Sequence, residues 1–151
     1  MNQCLLIGVD DYAFGPLSSA VNDALAVRDK LVALGLFRED EITMLASPTP
    51  QWQGQLPQGT RSATCDEILA ALHSLYVAKS PPQRFLFYFA GHGISTYREP
   101  AQATLTTVLL PADVRDLAAD GRKLVDFDAL RTRFALRGPQ VERPRFPRAS
   151  S

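Results

Sequence analysis

The stretch RFLFYFAGHGI, residues 84–94, sets a histidine between two glycines directly after an uncharged run. Imidazole is the side chain whose proton affinity lies nearest neutrality. A histidine at the end of a buried strand is therefore a candidate proton carrier. Gly91 and Gly93 leave the His92 ring uncrowded and let backbone approach a bound group. The N–H of Gly93 can meet an oxyanion that develops beside the imidazole. The competing reading is a turn histidine chosen for local hydrogen bonding. Acids stand at two further places. Asp10 and Asp11 follow the run CLLIGV, and Asp23 lies in AVNDA. An anion in the first turn of a helix is favoured by the helix dipole, which by itself accounts for Asp23.

Elements must bring these residues together. Gln3–Val9 is apolar, contains Ile and Val, and runs into the turn chemistry of DDYAFGP, which predicts a buried strand. In PLSSAVNDALAVRDKLVALG, Val21, Ala24, Leu25, Leu31 and Val32 share one helical face. Ser18 or Ser19 is the expected N-cap and Gly35 the stop. A second strand is expected over Ile42–Ala46. The Pro-, Gly- and Gln-rich PTPQWQGQLPQGTRSA has no period and reads as a surface loop. Thr64 and Glu67 form a capping box for a helix whose stripe is Ile68, Leu72, Leu75 and Tyr76. Phe85–Ala90 is apolar on both alternating sets, which predicts a central strand of a parallel sheet. Thr107–Leu110 reads as a further strand. A last helix, capped by Asp126, buries Phe127, Leu130 and Phe134 and stops at Gly138-Pro139. Residues 1–137 thus form one domain, and the Pro- and Arg-rich tail 138–151 is expected to be disordered. The alternation of strands and helices predicts an α/β protein with a mainly parallel sheet. Ligands of such sheets sit outside the carboxyl ends of the strands, which gives His92, Asp10 and Asp11 one shared rim.

Composition narrows the chemistry. Lys+Arg and Asp+Glu each number 16, so the formal net charge is zero, and no nucleic-acid or membrane-surface partner is expected. No apolar run is long enough to span a bilayer. The N-terminus lacks a basic region and its apolar run is cut by Asp10 and Asp11, so a cytoplasmic location is expected. Cys4 and Cys65 are the only cysteines, too few for a disulfide framework or a zinc site. Neither a phosphate-binding glycine loop nor a Gly-x-Ser-x-Gly elbow is present.

The segments CLLIGVDDY, PLSSAVNDALAVRDKLVALG, ATCDEILAAL and FLFYFAGHG, in that order, resemble the caspase-like domains of clan CD cysteine peptidases. They are most similar to the large-subunit portion of bacterial caspase-family and metacaspase-type proteins. The resemblance covers about Cys4 to Phe134, and YFAGHG and AVNDA are its most specific pieces. It implies a caspase-like three-layer sandwich acting on polypeptide substrates. It further implies that His92 belongs to a Cys–His dyad whose thiolate attacks the scissile carbonyl while backbone N–H groups, Gly93 among them, hold the oxyanion. Asp23, with Asp10 and Asp11 as lesser candidates, would help form an acidic pocket for a basic P1 side chain. No cofactor or metal is expected, and a calcium requirement stays open.

The sequence departs from the family at one point. The family presents its nucleophile in an Asp-x-Cys segment on the next strand, and none follows His92 here. The expectation is a domain truncated before the nucleophile-bearing strand and inactive alone, with a sheet edge left for homo- or hetero-association. Cys4 reads as buried filler. Cys65, in the first turn of a helix, is a lesser candidate nucleophile. His73 is read as a surface residue. The alternative class is a caspase-like interaction or regulatory module without a nucleophile.

Overall fold

A computed structural model describes residues 2–77, 82–99 and 102–135. Three parallel strands, β1 (Gln3–Val9), β2 (Ile42–Ser47) and β3 (Phe85–Ala90), form a sheet in the order β2-β1-β3. A second, antiparallel sheet has the order β4-β5-β6, from Gly93–Glu99, Gln102–Leu109 and Val125–Asp126. The helices are α1 (Ala20–Ala33), α2 (Cys65–Tyr76) and α3 (Phe127–Ala135). The mixed α/β architecture with a parallel sheet, as expected, is therefore present.

Period-2 alternation on β1 sorts its side chains between two apolar clusters. Leu5, Ile7 and Val9 join Leu45 and, from α2, Ile68, Ala71 and Leu72. Cys4 and Leu6 face the other way and join Leu31 of α1 and Phe37. Val21 and Ala24 of α1 pack with Met44 and Ala46 of β2. Gly8 lets α1 approach: a Cβ there would lie 2.9 Å from the Cα of Val21 and 3.0 Å from the carbonyl of Ala20.

Three expectations need correction. First, β1 is the central strand, and β3 lies at the sheet edge among the described residues. Apolar residues on both faces of a strand report what covers those faces, not what pairs with its edges. Burial makes the difference visible, since Cys4–Val9 are buried while Phe85–Ala90 are all half-buried. Second, β5 is longer than Thr107–Leu110 and pairs with β4, a strand that GISTYRE does not announce because it lacks an apolar alternation. Third, Ser19 occupies the N-cap of α1 but makes no side-chain cap bond. A distant carboxylate does that work, as described below. The loop after β2 runs over the surface, as expected, and is tied down at one point. Arg61 donates its N–H to the Met44 carbonyl and accepts from the Ala46 N–H, a parallel bridge opposite Leu45 that covers the outer edge of β2.

Asp126 caps α3 as expected, while α2 shows only the Thr64 half of the expected capping box, because the Glu67 carboxylate pairs with Arg61 at 3.4 Å. Thr64 Oγ1 accepts the Glu67 N–H at 3.4 Å, and Asp126 Oδ1 accepts the Ala129 N–H at 3.0 Å. His73 is exposed. The tail 138–151 and the side chain of Phe134 lie outside the described residues. No helix among the described residues is long and apolar enough to cross a membrane.

Candidate active site

The loop from the end of β1 to α1 organises the carboxyl rim. Asp10 is only 2% exposed, and its carboxylate accepts the Ala20 N–H at 2.9 Å and the Val21 N–H at 3.2 Å. These are donors that a helix start leaves unpaired, and the anion also meets the positive end of the helix dipole. The backbone of Asp10 is equally engaged. Its N–H and that of Asp11 donate to the Ser47 carbonyl, and its own carbonyl accepts from Tyr12 and Leu17. Asp10 is thus a remote helix cap, with both carboxylate oxygens occupied by backbone.

Two residues further on, Tyr12 is 2% exposed and reaches the far end of β3. Its Oη accepts the His92 N–H at 2.9 Å and donates to the Leu110 carbonyl at 2.8 Å. Leu110 in turn donates its N–H to the His92 carbonyl at 3.0 Å. The Tyr12 ring stands 4.7 Å from the imidazole, tilted by 59°, and Phe14 stands 5.5 Å from it. His92 is half-buried between them, at the carboxyl rim of the parallel sheet. Burial pushes the Tyr12 phenol up to about 12, with the Asp10 charge a lesser contribution in the same direction, so the hydroxyl keeps its proton near neutrality. Gly91 is required beneath it, because a Cβ there would collide with Tyr12 Oη. Gly93 opens β4 opposite Leu109 and is exposed. Since His92 and Leu110 form the hydrogen-bonded pair, ladder alternation turns the Gly93 N–H away from β5.

The other acids are distributed differently. Asp11 is exposed on the same loop, and Asp23 is exposed in the first turn of α1. The charge of Asp23 reaches Tyr88 on β3, adding to the burial that raises that phenol. Its neighbour Asn22 accepts the indole N–H of Trp52 at 3.0 Å, which pins the long loop to α1. Among the described residues no group of three or more His, Cys, Asp or Glu is arranged to hold a metal ion.

Residues 2–126 match the metacaspase, peptidase C14 domain. The chain belongs to that family. A probable protease from a Desulfuromonadales bacterium is 32% identical to it over 100 residues. That match covers 62% of this chain and 12% of the relative's length. Membership supports a protease-like function. Within this metacaspase-family domain, neither cysteine has a reactive setting. Burial pushes the Cys4 thiol up to about 12. The Cys65 thiol is also raised, first by burial and then by the charges of Asp113 and Asp66, against a smaller opposing effect of Lys123. The helix start, which favours a thiolate, already holds an anion, because Asp113 Oδ1 accepts the Cys65 N–H at 2.8 Å. Sequence reading missed Tyr12 and Phe14. DDYAF looks like turn chemistry, and nothing local in it signals contacts made with the far end of the domain.

Proposed function

We propose that this domain is the histidine-bearing part of a caspase/metacaspase-type cysteine endopeptidase. His92 is its proton carrier, and the nucleophile comes from an Asp-x-Cys segment other than Cys4 or Cys65. The observation that carries this reading is the placement of His92, half-buried at the carboxyl rim of the parallel sheet and flanked by aromatic rings. There an imidazole can take a thiol proton and return it to the leaving amine. The Gly93 N–H, turned away from β5, is the proposed oxyanion donor. Asp23, exposed in the first turn of α1 with its charge reaching Tyr88 on β3, is the proposed acid for a basic P1 side chain, with Asp11 as a lesser contributor. Asp10 drops from that role because its oxygens are engaged with α1. The half-buried edge of β3 is where we place the additional strand that would complete a caspase-like three-layer sandwich, or else a partner chain. The raised thiols favour a second reading, a caspase-like interaction module without peptidase activity.

The test is direct. The 151-residue chain is offered fluorogenic peptides with Arg or Lys before the scissile bond, with and without calcium. Little or no turnover is expected, since one member of a dyad gives almost none of the rate. Turnover that a thiol alkylator blocks, and that both Cys65→Ala and His92→Ala abolish, would make Cys65 the nucleophile and overturn the assignment. In a longer chain that carries the Asp-x-Cys segment, Asp23→Ala should erode the preference for basic over acidic P1. An unchanged preference removes Asp23 from the pocket.

A further inference from the structure

We infer that Tyr12 is the positioning residue for His92, its hydroxyl standing in for one rung of the β4–β5 ladder. This deepens the reading of His92 as the proton carrier and rests on it. His92 and Leu110 face each other one step beyond the Gly93–Leu109 pair. Facing residues of an antiparallel ladder at a hydrogen-bonded position exchange two bonds. One is made directly, from the Leu110 N–H to the His92 carbonyl at 3.0 Å. The other is split into two steps. The His92 N–H donates to Tyr12 Oη at 2.9 Å, and the Tyr12 hydroxyl donates onward to the Leu110 carbonyl at 2.8 Å.

The direction of that relay decides what Tyr12 can do. Because it accepts from His92, its only proton goes to Leu110. It has none to offer a substrate, and the raised phenol pKa keeps it from serving as a base near neutrality. Tyr12 therefore acts through His92. The hydroxyl fixes the backbone on which the imidazole is mounted, and the Tyr12 and Phe14 rings restrict its side-chain rotations. Gly91 clears the space the hydroxyl occupies. Asp10 fixes Tyr12 itself, since its carbonyl accepts the Tyr12 N–H while its carboxylate holds the start of α1. The ends of β3 and β5 thus meet at one phenol, carried on the loop from β1 whose Asp10 also caps α1. A phenylalanine at position 12 would keep the ring but strip the His92 N–H and the Leu110 carbonyl of their partner.

The experiment needs no turnover. In the 151-residue chain, Tyr12→Phe is followed by nuclear magnetic resonance. Loss of the hydroxyl should speed hydrogen exchange at the His92 amide by about tenfold or more. It should also shift and broaden the imidazole signals of His92 and leave those of His73 unmoved. Ile68→Val, a core change on α2, should leave the His92 signals as they are, which separates positioning from general loosening. If Tyr12→Phe does not fold, 3-fluorotyrosine at position 12 keeps the shape and weakens the oxygen as an acceptor. The His92 amide proton should then move upfield. Unchanged His92 signals in whichever of these folds overturn the inference, as does an equal response to Ile68→Val. The dyad reading fails separately. If a longer chain carrying the nucleophile keeps its peptidase activity after His92→Ala, the dyad is lost while the Tyr12 contact with His92 stands.

Discussion

At the end of β3, an imidazole is held by aromatic rings and a hydroxyl relay, with its surroundings half open to water. At the start of α2, a thiol sits 5% exposed beside two carboxylates. Both residues occupy element ends, where chemistry-bearing side chains are commonly found. Both regions also close a helix start with a carboxylate from outside the helix, Asp10 at the head of the loop leading into α1 and Asp113 from a distant loop for α2. The difference lies in what that carboxylate does to its neighbour. Asp10 is buried against backbone donors, and it organises the loop that carries Tyr12 to His92. Asp113 lies next to the thiol, adds a negative charge to its surroundings and holds its proton on. The same capping device builds a site in one region and silences a candidate in the other.

Changing pH should produce the largest effect and tests the silenced side of this comparison. Cys4 rises from 9.0 to about 12 and Tyr12 from 10.0 to about 12 on folding. Both keep their protons in the folded state, so their support is complete below pH 9. Above that the unfolded chain ionises first, and stability falls as pH climbs toward 12. Urea unfolding at pH 7, 9 and 10.5 should show a progressive loss, with a shallower slope in Cys4→Ala. A flat profile would mean these groups are not buried as described.

Asp10→Ala is expected next. It leaves the Ala20 and Val21 N–H groups without a charged acceptor at a buried helix start, a loss of about 2–3 kcal/mol. Thermal melting and denaturant titration measure it. The same variant should loosen the His92 region more than the α2 region, by hydrogen exchange. Uniform loosening would undo the idea that Asp10 serves one region.

Thiol chemistry tests the other half. At pH 7.5 both cysteines of the folded chain should react with a thiol-reactive dye many times more slowly than in denaturant, because thiolate is the reacting form and both thiols are raised. Fast labelling of one site, lost in Cys65→Ala, would place Cys65 beside His92 in reactivity. The smallest effect belongs to Asp23→Asn. This exposed residue should change stability by about 0.5 kcal/mol or less, and the Tyr88 phenol should ionise at slightly lower pH in a spectrophotometric titration. A larger loss would make Asp23 a structural member of α1.

Much of this was legible in residue order. Gln3–Val9 and Phe85–Ala90 match the expected strands residue for residue, and Ile42–Ser47 extends its expectation by one residue. The start of α2 is marked by Thr64 and its stripe by Ile68 and Leu72. Each is a local signal, an apolar run or a helical period. The motifs around His92 and Asp23 likewise carried the family, and the match over residues 2–126 bears that out.

The tertiary structure decided the rest. Which strand is central depends on pairing, and pairing leaves no mark on the composition of a single run. Asp10 was a rim acid in sequence and became a helix cap because α1 folds back over the end of β1. Tyr12 had no visible task at all. Its two hydroxyl partners lie 80 and 98 residues away along the chain. Bonds of that reach arise only when strands from distant segments are brought side by side. Sequence alone determined which residues could do chemistry and which elements would carry them. The orientation of His92, and the suppression of Cys65, follow from contacts that exist only once the chain has closed on itself.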